Sequence, residues 1–220
     1  MTPALKLTYF NIHGLGSRIR LACRVGHLPL VDYRFADRDE FMALKPSLTS
    51  GQVPLLEVTE EGKPTVQLSQ SSAILRYVCT LAGLHPTDLL KAAAVDAALA
   101  LEADAFAAFR AVRYRDRSGL SHLSAEDAAT AAEKIGTVVI PGFLAHLEKL
   151  LARSTTGWVA DTPQPSAADF AWGAQLHQAR GTGDISAATL ARDKLPLVNA
   201  FLDKFLDVPE VKAYYDEFPV

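Results

Sequence analysis

Tyr9 carries a phenolic hydroxyl at the end of a run, residues 5–12, that alternates apolar and polar side chains. A donor in that place can meet an anion forming beside the strand. A hydrogen bond to a charged acceptor contributes about 1.5–3 kcal/mol, or roughly one to two pKa units on the acceptor. Ser17, a little further on, offers a rival hydroxyl that also reads as a helix-start residue. Gln70 and Ser71 stand where a strand signal gives way to a helical one. A helix N-terminus presents unpaired N–H groups and a partial positive charge, which suits a carboxylate. Capping by Ser69 or Ser71 accounts for those residue types equally well. Val53 precedes Pro54, an X-Pro bond of the kind that is cis in only about 5–6% of cases. Arg110, Arg113, Tyr114, Arg115 and Arg117 form a basic cluster that is either a solvated helix end or the rim of a pocket.

Those residues need elements to hold them. The spacing predicts strands over 5–12, 30–35, 53–58 and 65–68, and helices over 17–25, 39–44 (stopped by Pro46) and 71–82. The order β-α-β-α-β-β-α places the first two strands in parallel and the last two in a hairpin, a thioredoxin-like layer. After a linker over 84–88, strand signals vanish. Helices are predicted over 91–115, 125–151 (bent or broken at Gly136 and Pro141), 166–178, 187–207 (interrupted by Pro196) and 209–215. The fold class is therefore α/β plus all-α: a thioredoxin-like domain over 1–83, then an all-helical domain over 89–220. Ser166 and Asp169 open their helix as a capping box, a structural role. Trp158 and Trp172 read as packing groups, and His122, His146 and His177 as ordinary histidines without partners at metal spacing.

Composition narrows the function classes. The chain has 220 residues, a formal net charge of −3, 49% apolar and 21% charged residues. No basic block is available to neutralise phosphates, so no nucleic-acid partner is expected. No apolar run approaches the roughly 20 residues of a membrane span, and the N-terminus lacks a signal peptide's long apolar region, so the expectation is a cytoplasmic protein. Cys23 and Cys79 form neither a C-x-x-C pair nor a zinc site and are expected to be buried free thiols.

Three local patterns, in order, carry a resemblance. They are Tyr9-Phe10 followed by Gly14 and a helix with Arg20; Gly51-Gln52-Val53-Pro54-Leu55; and the segment from Leu68 to Tyr77 containing Gln70-Ser71. Together, and with the two-domain layout, they resemble the cytosolic glutathione transferases of the tyrosine type, sigma-like. The resemblance implies that glutathione is a co-substrate, with no metal and no tightly bound cofactor. It implies that the backbone of Val53, before a cis Pro54, pairs with the cysteinyl group, that Gln70 and Ser71 take the γ-glutamyl carboxylate, and that Lys45 reaches the glycyl carboxylate. Gln52 flanks the site. Phe41 stands where many relatives have a tryptophan that hydrogen-bonds glutathione, so only packing is expected from it. Tyr9 would hold the sulfur as thiolate, and a small apolar electrophile would be attacked against Phe10, Phe106, Arg110 and Tyr114. A homodimer is implied as well.

The chain also departs from that pattern. Leu15 replaces an arginine that often tunes the site, Ser17 replaces an acidic residue, and Ser50 stands where an aromatic interface wedge is common. The alternatives on the same fold are a glutathione-dependent isomerase or peroxidase, and a non-catalytic ligand-binding or structural relative.

Overall fold

The computed structural model describes residues 2–186 and 188–220. Four strands, β1 (Ala4–Phe10), β2 (Leu30–Phe35), β3 (Leu55–Thr59) and β4 (Val66–Ser69), form one sheet in the order β2-β1-β3-β4. β1 runs parallel to β2 and antiparallel to β3, and β3 pairs antiparallel with β4. The β1–β2 crossover is α1 (Gly14–Val25), and α3 (Ser71–Leu81) follows β4. This is the thioredoxin-like layer the element order predicts. Leu5, Leu7, Leu56, Ile19, Leu21, Ile74, Leu75 and Val78 are buried in it. Cys23 and Cys79 are buried there too, and burial pushes the Cys23 thiol up to about 12.

α2 (Arg38–Leu44) is capped by Asp37, whose side chain accepts the Glu40 N–H at 2.9 Å. It passes into a short 3₁₀ turn, Lys45–Ser47. Pro46 sits at the start of that turn, where its missing N–H costs nothing.

The remaining helices are α4 (Leu89–Arg113), α5 (Ala125–Lys134), α6 (Ile140–Leu151), α7 (Ala167–Thr182), α8 (Pro196–Leu206) and α9 (Pro209–Glu217). α5 and α6 are joined by a π turn, Ile135–Val139. Pro141 has no N–H to give the carbonyl one turn back, and the wider turn absorbs that loss. By length and mean hydropathy the stretch Ala125–Leu151 could cross a membrane. Ile135, Ile140, Leu144, Leu147 and Leu151 of it are buried in the protein, 22% of its apolar window being buried in all. Pro196 begins α8 rather than interrupting a longer helix, as a proline at a first helical position does. Ala187, expected as a helix start, lies outside the described residues.

The chain divides into two compact units. One holds residues up to Thr87 together with Val208–Pro219; the other holds Asp88–Asp207 and Val220. α9, expected in the helical domain, therefore belongs with the sheet, where it packs on α1. In the helical unit Trp172 is fully buried and its indole N–H donates to the Ala98 carbonyl at 2.9 Å. Asp169 closes the capping box: it accepts from the Ser166 N–H and hydroxyl, both at 2.7 Å, and from the Val159 N–H at 2.8 Å. Burial pushes its pKa up against the pull of those donors.

Candidate active site

Strand register decides what meets what. Thr8 of β1 lies opposite Leu55 of β3, and Leu55 lies opposite Ser69 of β4. One step further along, Tyr9 at the end of β1, Pro54 just before β3 and Gln70 just after β4 reach the same end of the sheet. The N-termini of α1 and α3 open at the neighbouring chain positions, Gly14 and Ser71. Such a strand end, flanked by two helix N-termini, is where an anionic ligand meets backbone donors and positive dipole ends.

Tyr9 is buried, and its hydroxyl accepts the Leu15 backbone N–H at 3.2 Å. Accepting an N–H from the first turn of a helix polarises the O–H toward donation. The ring is clasped by glycines. A Cβ on Gly14, whose φ is +43°, would lie 2.7 Å from the Tyr9 hydroxyl, and one on Gly16 would lie 2.5 Å from the ring. Arg20 covers the ring at 5.8 Å from its centroid. Ser17, the rival hydroxyl, is buried and donates to the Gly14 carbonyl at 3.0 Å.

The Val53–Pro54 peptide bond is cis. Val53 is half-buried, Pro54 buried and Gln52 exposed. Lys45 is exposed, and its side chain runs along Gly51, in the loop leading to Val53. Phe41 is buried in a cluster with Phe35, Leu48 and Leu55, its ring 5.0 Å from that of Phe10 and 5.7 Å from that of Phe35. It packs the floor beside Val53 and has no N–H to offer.

Gln70, not a serine, is the N-cap of α3, and no side chain caps that end. Its φ of +71° is a conformation that costs a non-glycine residue on the order of 1–3 kcal/mol. It turns the chain from β4 into α3 so that Ser71 begins the helix. Serine capping, the simpler reading of Ser69 and Ser71, is not what the structure shows.

The residues named for the electrophile are scattered in their engagements. Phe10 is half-buried and touches the rings of Tyr9, Phe35 and Phe41. Phe106 is buried in the helical unit against Trp172. Arg110 donates to the Ala103 carbonyl of its own helix at 2.5 Å. Tyr114 is exposed beneath the Arg117 guanidinium.

Sequence reasoning passed over three groups at this end of the sheet. The first is the Leu15 N–H, a backbone donor that no side-chain pattern betrays. The second is the pair Arg20–Asp32, joined at 2.9 Å, with Arg20 almost fully buried. Arg20 also donates to the carbonyls of Ile12 at 2.9 Å and Phe10 at 3.3 Å, so it fixes the loop after Tyr9. An arginine among the apolar positions of α1 was the available signal, since a buried charge requires a partner. The third is His13, the residue before α1.

Known proteins supply an independent comparison. Residues 118–217 match the family description "Glutathione S-transferase, C-terminal domain". The chain is 30% identical over 217 residues to glutathione S-transferase P of Caenorhabditis elegans, covering 97% of this chain and 92% of that protein. It is 28% identical to a glutathione S-transferase of Anopheles gambiae, over 99% and 98% of the two chains.

The chain belongs to the glutathione S-transferase family.

Among solved structures, prostaglandin synthase D of Nilaparvata lugens superposes with a TM-score of 0.80 at 26% identity, covering 99% of this chain and 100% of that one. Membership in the glutathione S-transferases gives the sheet end a chemical context. Glutathione is an anionic tripeptide with two carboxylates and a thiol, and this end offers a phenol, the backbone of Val53 before a cis proline, and a helix N-terminus with no side-chain cap.

Proposed function

We propose that this glutathione S-transferase conjugates the glutathione thiolate to small apolar electrophiles, with Tyr9 as the catalytic residue. The observation that carries the reading is the register that brings Tyr9, Val53-Pro54 and Gln70-Ser71 to one end of the sheet. The cysteinyl backbone of glutathione pairs with the peptide edge of Val53. The γ-glutamyl carboxylate sits on the N–H groups of Ser71 and the turn after it, and Lys45 reaches the glycyl carboxylate. Gln52 lines the flank. Phe41 contributes packing, and Phe10 is the candidate electrophile contact on this unit.

The step itself is charge stabilisation. A free thiol is a few per cent thiolate at neutral pH. The Tyr9 O–H, polarised by the Leu15 N–H, donates to the sulfur as the thiol proton passes to water; the thiolate then forms a C–S bond with the electrophile, whose leaving group (halide, for an aryl halide) departs with its bonding electron pair. Buried Ser17, already donating to Gly14, is a poorer candidate for that task.

The reading extends to a detoxifying, cytoplasmic homodimer with no tightly bound cofactor. The assay that tests it is conjugation of glutathione to a chromogenic aryl halide. Absence of both turnover and glutathione binding would refute it. A glutathione-dependent isomerase is the second reading, favoured by the likeness to a prostaglandin synthase. Turnover of a prostaglandin endoperoxide in preference to aryl halides would select it.

A further inference from the structure

Residues 10–13 lead from Tyr9 into α1, and they are gripped from two sides. On one side, Arg20 holds the Phe10 and Ile12 carbonyls. Arg34 donates to the Asn11 side chain at 3.1 Å, and Asp32 joins the two arginines. On the other side stands the segment Val208–Pro219, which returns to this unit after the whole helical unit has been built. His13 Nε2 lies 3.2 Å from the Pro219 carbonyl. The His13 ring packs on Tyr214 at 5.9 Å and on Tyr215 at 5.6 Å. Arg24 forks onto Glu217 and lies over Tyr214, and Arg34 lies 4.1 Å from the Phe218 ring centroid.

We infer that α9 and the residues after it clamp the catalytic loop, and that His13 is the positioning residue through which the clamp reaches Tyr9. The inference rests on the assignment of Tyr9. His13 precedes Gly14 and Leu15, and the Leu15 N–H is the group bonded to the Tyr9 hydroxyl. Any shift of His13 moves the start of α1 and with it that donor. A displacement of about 1 Å beside a reacting group lowers turnover without removing the ligand's own contacts.

The clamp has a required protonation state. A carbonyl accepts only if Nε2 carries hydrogen, so the neutral ring is the ε tautomer, and Nδ1 is buried with no hydrogen-bond partner among the described residues. The groups facing the ring are Arg20 of α1, Arg34 of β2, and Tyr214, Tyr215 and the Pro219 carbonyl of the returning segment. Asp32, the nearby carboxylate, is already shared by the two arginines. A second ring proton would meet two guanidiniums and no acceptor. Burial, opposed by the Pro219 bond and reinforced by both arginines, accordingly holds the His13 pKa below its ordinary value. The unfolded chain then binds the proton more readily than the folded one. The clamp is at full strength above about pH 6.5 and weakens as the pH falls below that.

Hydrogen exchange and steady-state kinetics on the full chain test this together. In His13→Ala, exchange over 10–17 and 209–219 should rise in concert. The pKa of the bound glutathione thiol should rise, and kcat should fall by about fivefold or more with the KM for glutathione changed by less than about twofold. His13→Gln, which keeps a donor near the Nε2 position, should restore both readouts. In the native protein, exchange over 10–17 should increase between about pH 7 and 5, and in His13→Gln it should not. That last comparison decides the matter should His13→Ala fail to fold. Unchanged exchange over 10–17 in His13→Ala, or the same acid-induced increase in His13→Gln, overturns the clamp. Loss of glutathione binding or turnover by the native protein overturns the Tyr9 assignment instead, and exchange still reads the clamp by itself.

Discussion

Under the proposed function, Tyr9 is a phenol prepared for a sulfur. Its oxygen accepts the Leu15 N–H, its ring lies under Arg20, and two glycines leave it the space it occupies. Tyr9→Phe keeps the packing and removes the donor. The bound thiol should lose about 1.5–3 kcal/mol of thiolate stabilisation. Its pKa should rise by roughly one to two units, and conjugation at neutral pH should fall about tenfold or more. Thiolate absorbance against pH measures the shift, and calorimetry should find glutathione affinity little changed. Full activity in Tyr9→Phe together with none in Ser17→Ala would hand the role to Ser17. Asp169 is the structural counterpart, a buried carboxylate meeting three donors. Asp169→Ala strands those donors and should cost about 1–3 kcal/mol for each that stays buried and unpaired, read as a lower urea midpoint with an unchanged slope.

At the scale of elements, the site is a property of strand ends. β1, β3 and β4 are in a register that collects three sequence-distant residues at one edge, and α3 departs from that edge through the strained Gln70. Gln70→Gly relieves the positive φ. After the entropy that glycine adds to the unfolded chain, a net stabilisation of about 1 kcal/mol is expected. Glutathione affinity should nevertheless fall, because the start of α3 is less rigidly placed; calorimetry and a thermal scan on the same variant separate the two effects. Much of this layer was legible, since strand alternation and the Val53-Pro54 and Gln70-Ser71 pairs are local signals. Phe41 was legible too, because a side chain without an N–H can only pack. What escaped notice is non-local or lacks a side chain. The Leu15 donor is backbone, and the Arg20–Asp32 pair joins a helix to a strand. Gly14 begins α1 three residues before Ser17, the residue whose type signals a helix start. No short-range pattern links residue 13 to residue 219.

At the scale of the whole molecule, ligand and fold share one equilibrium. Glutathione at about 100 times its dissociation constant should stabilise the folded state by about 2.7 kcal/mol. For a chain of this size that corresponds to roughly 5–10 °C in Tm. Tyr9→Phe should show the same shift, and a flat melting curve across millimolar glutathione would remove the ligand from the account. The division of the chain has a further consequence, in time rather than in space. The sheet is synthesised early, but Val208–Pro219, which covers α1, is made only after Asp88–Asp207. At about 5–20 residues per second, that intervening unit occupies the ribosome for on the order of ten seconds. Throughout that interval the nascent sheet waits with the α1 face that α9 will cover still exposed, so the first unit to be translated is among the last to be finished.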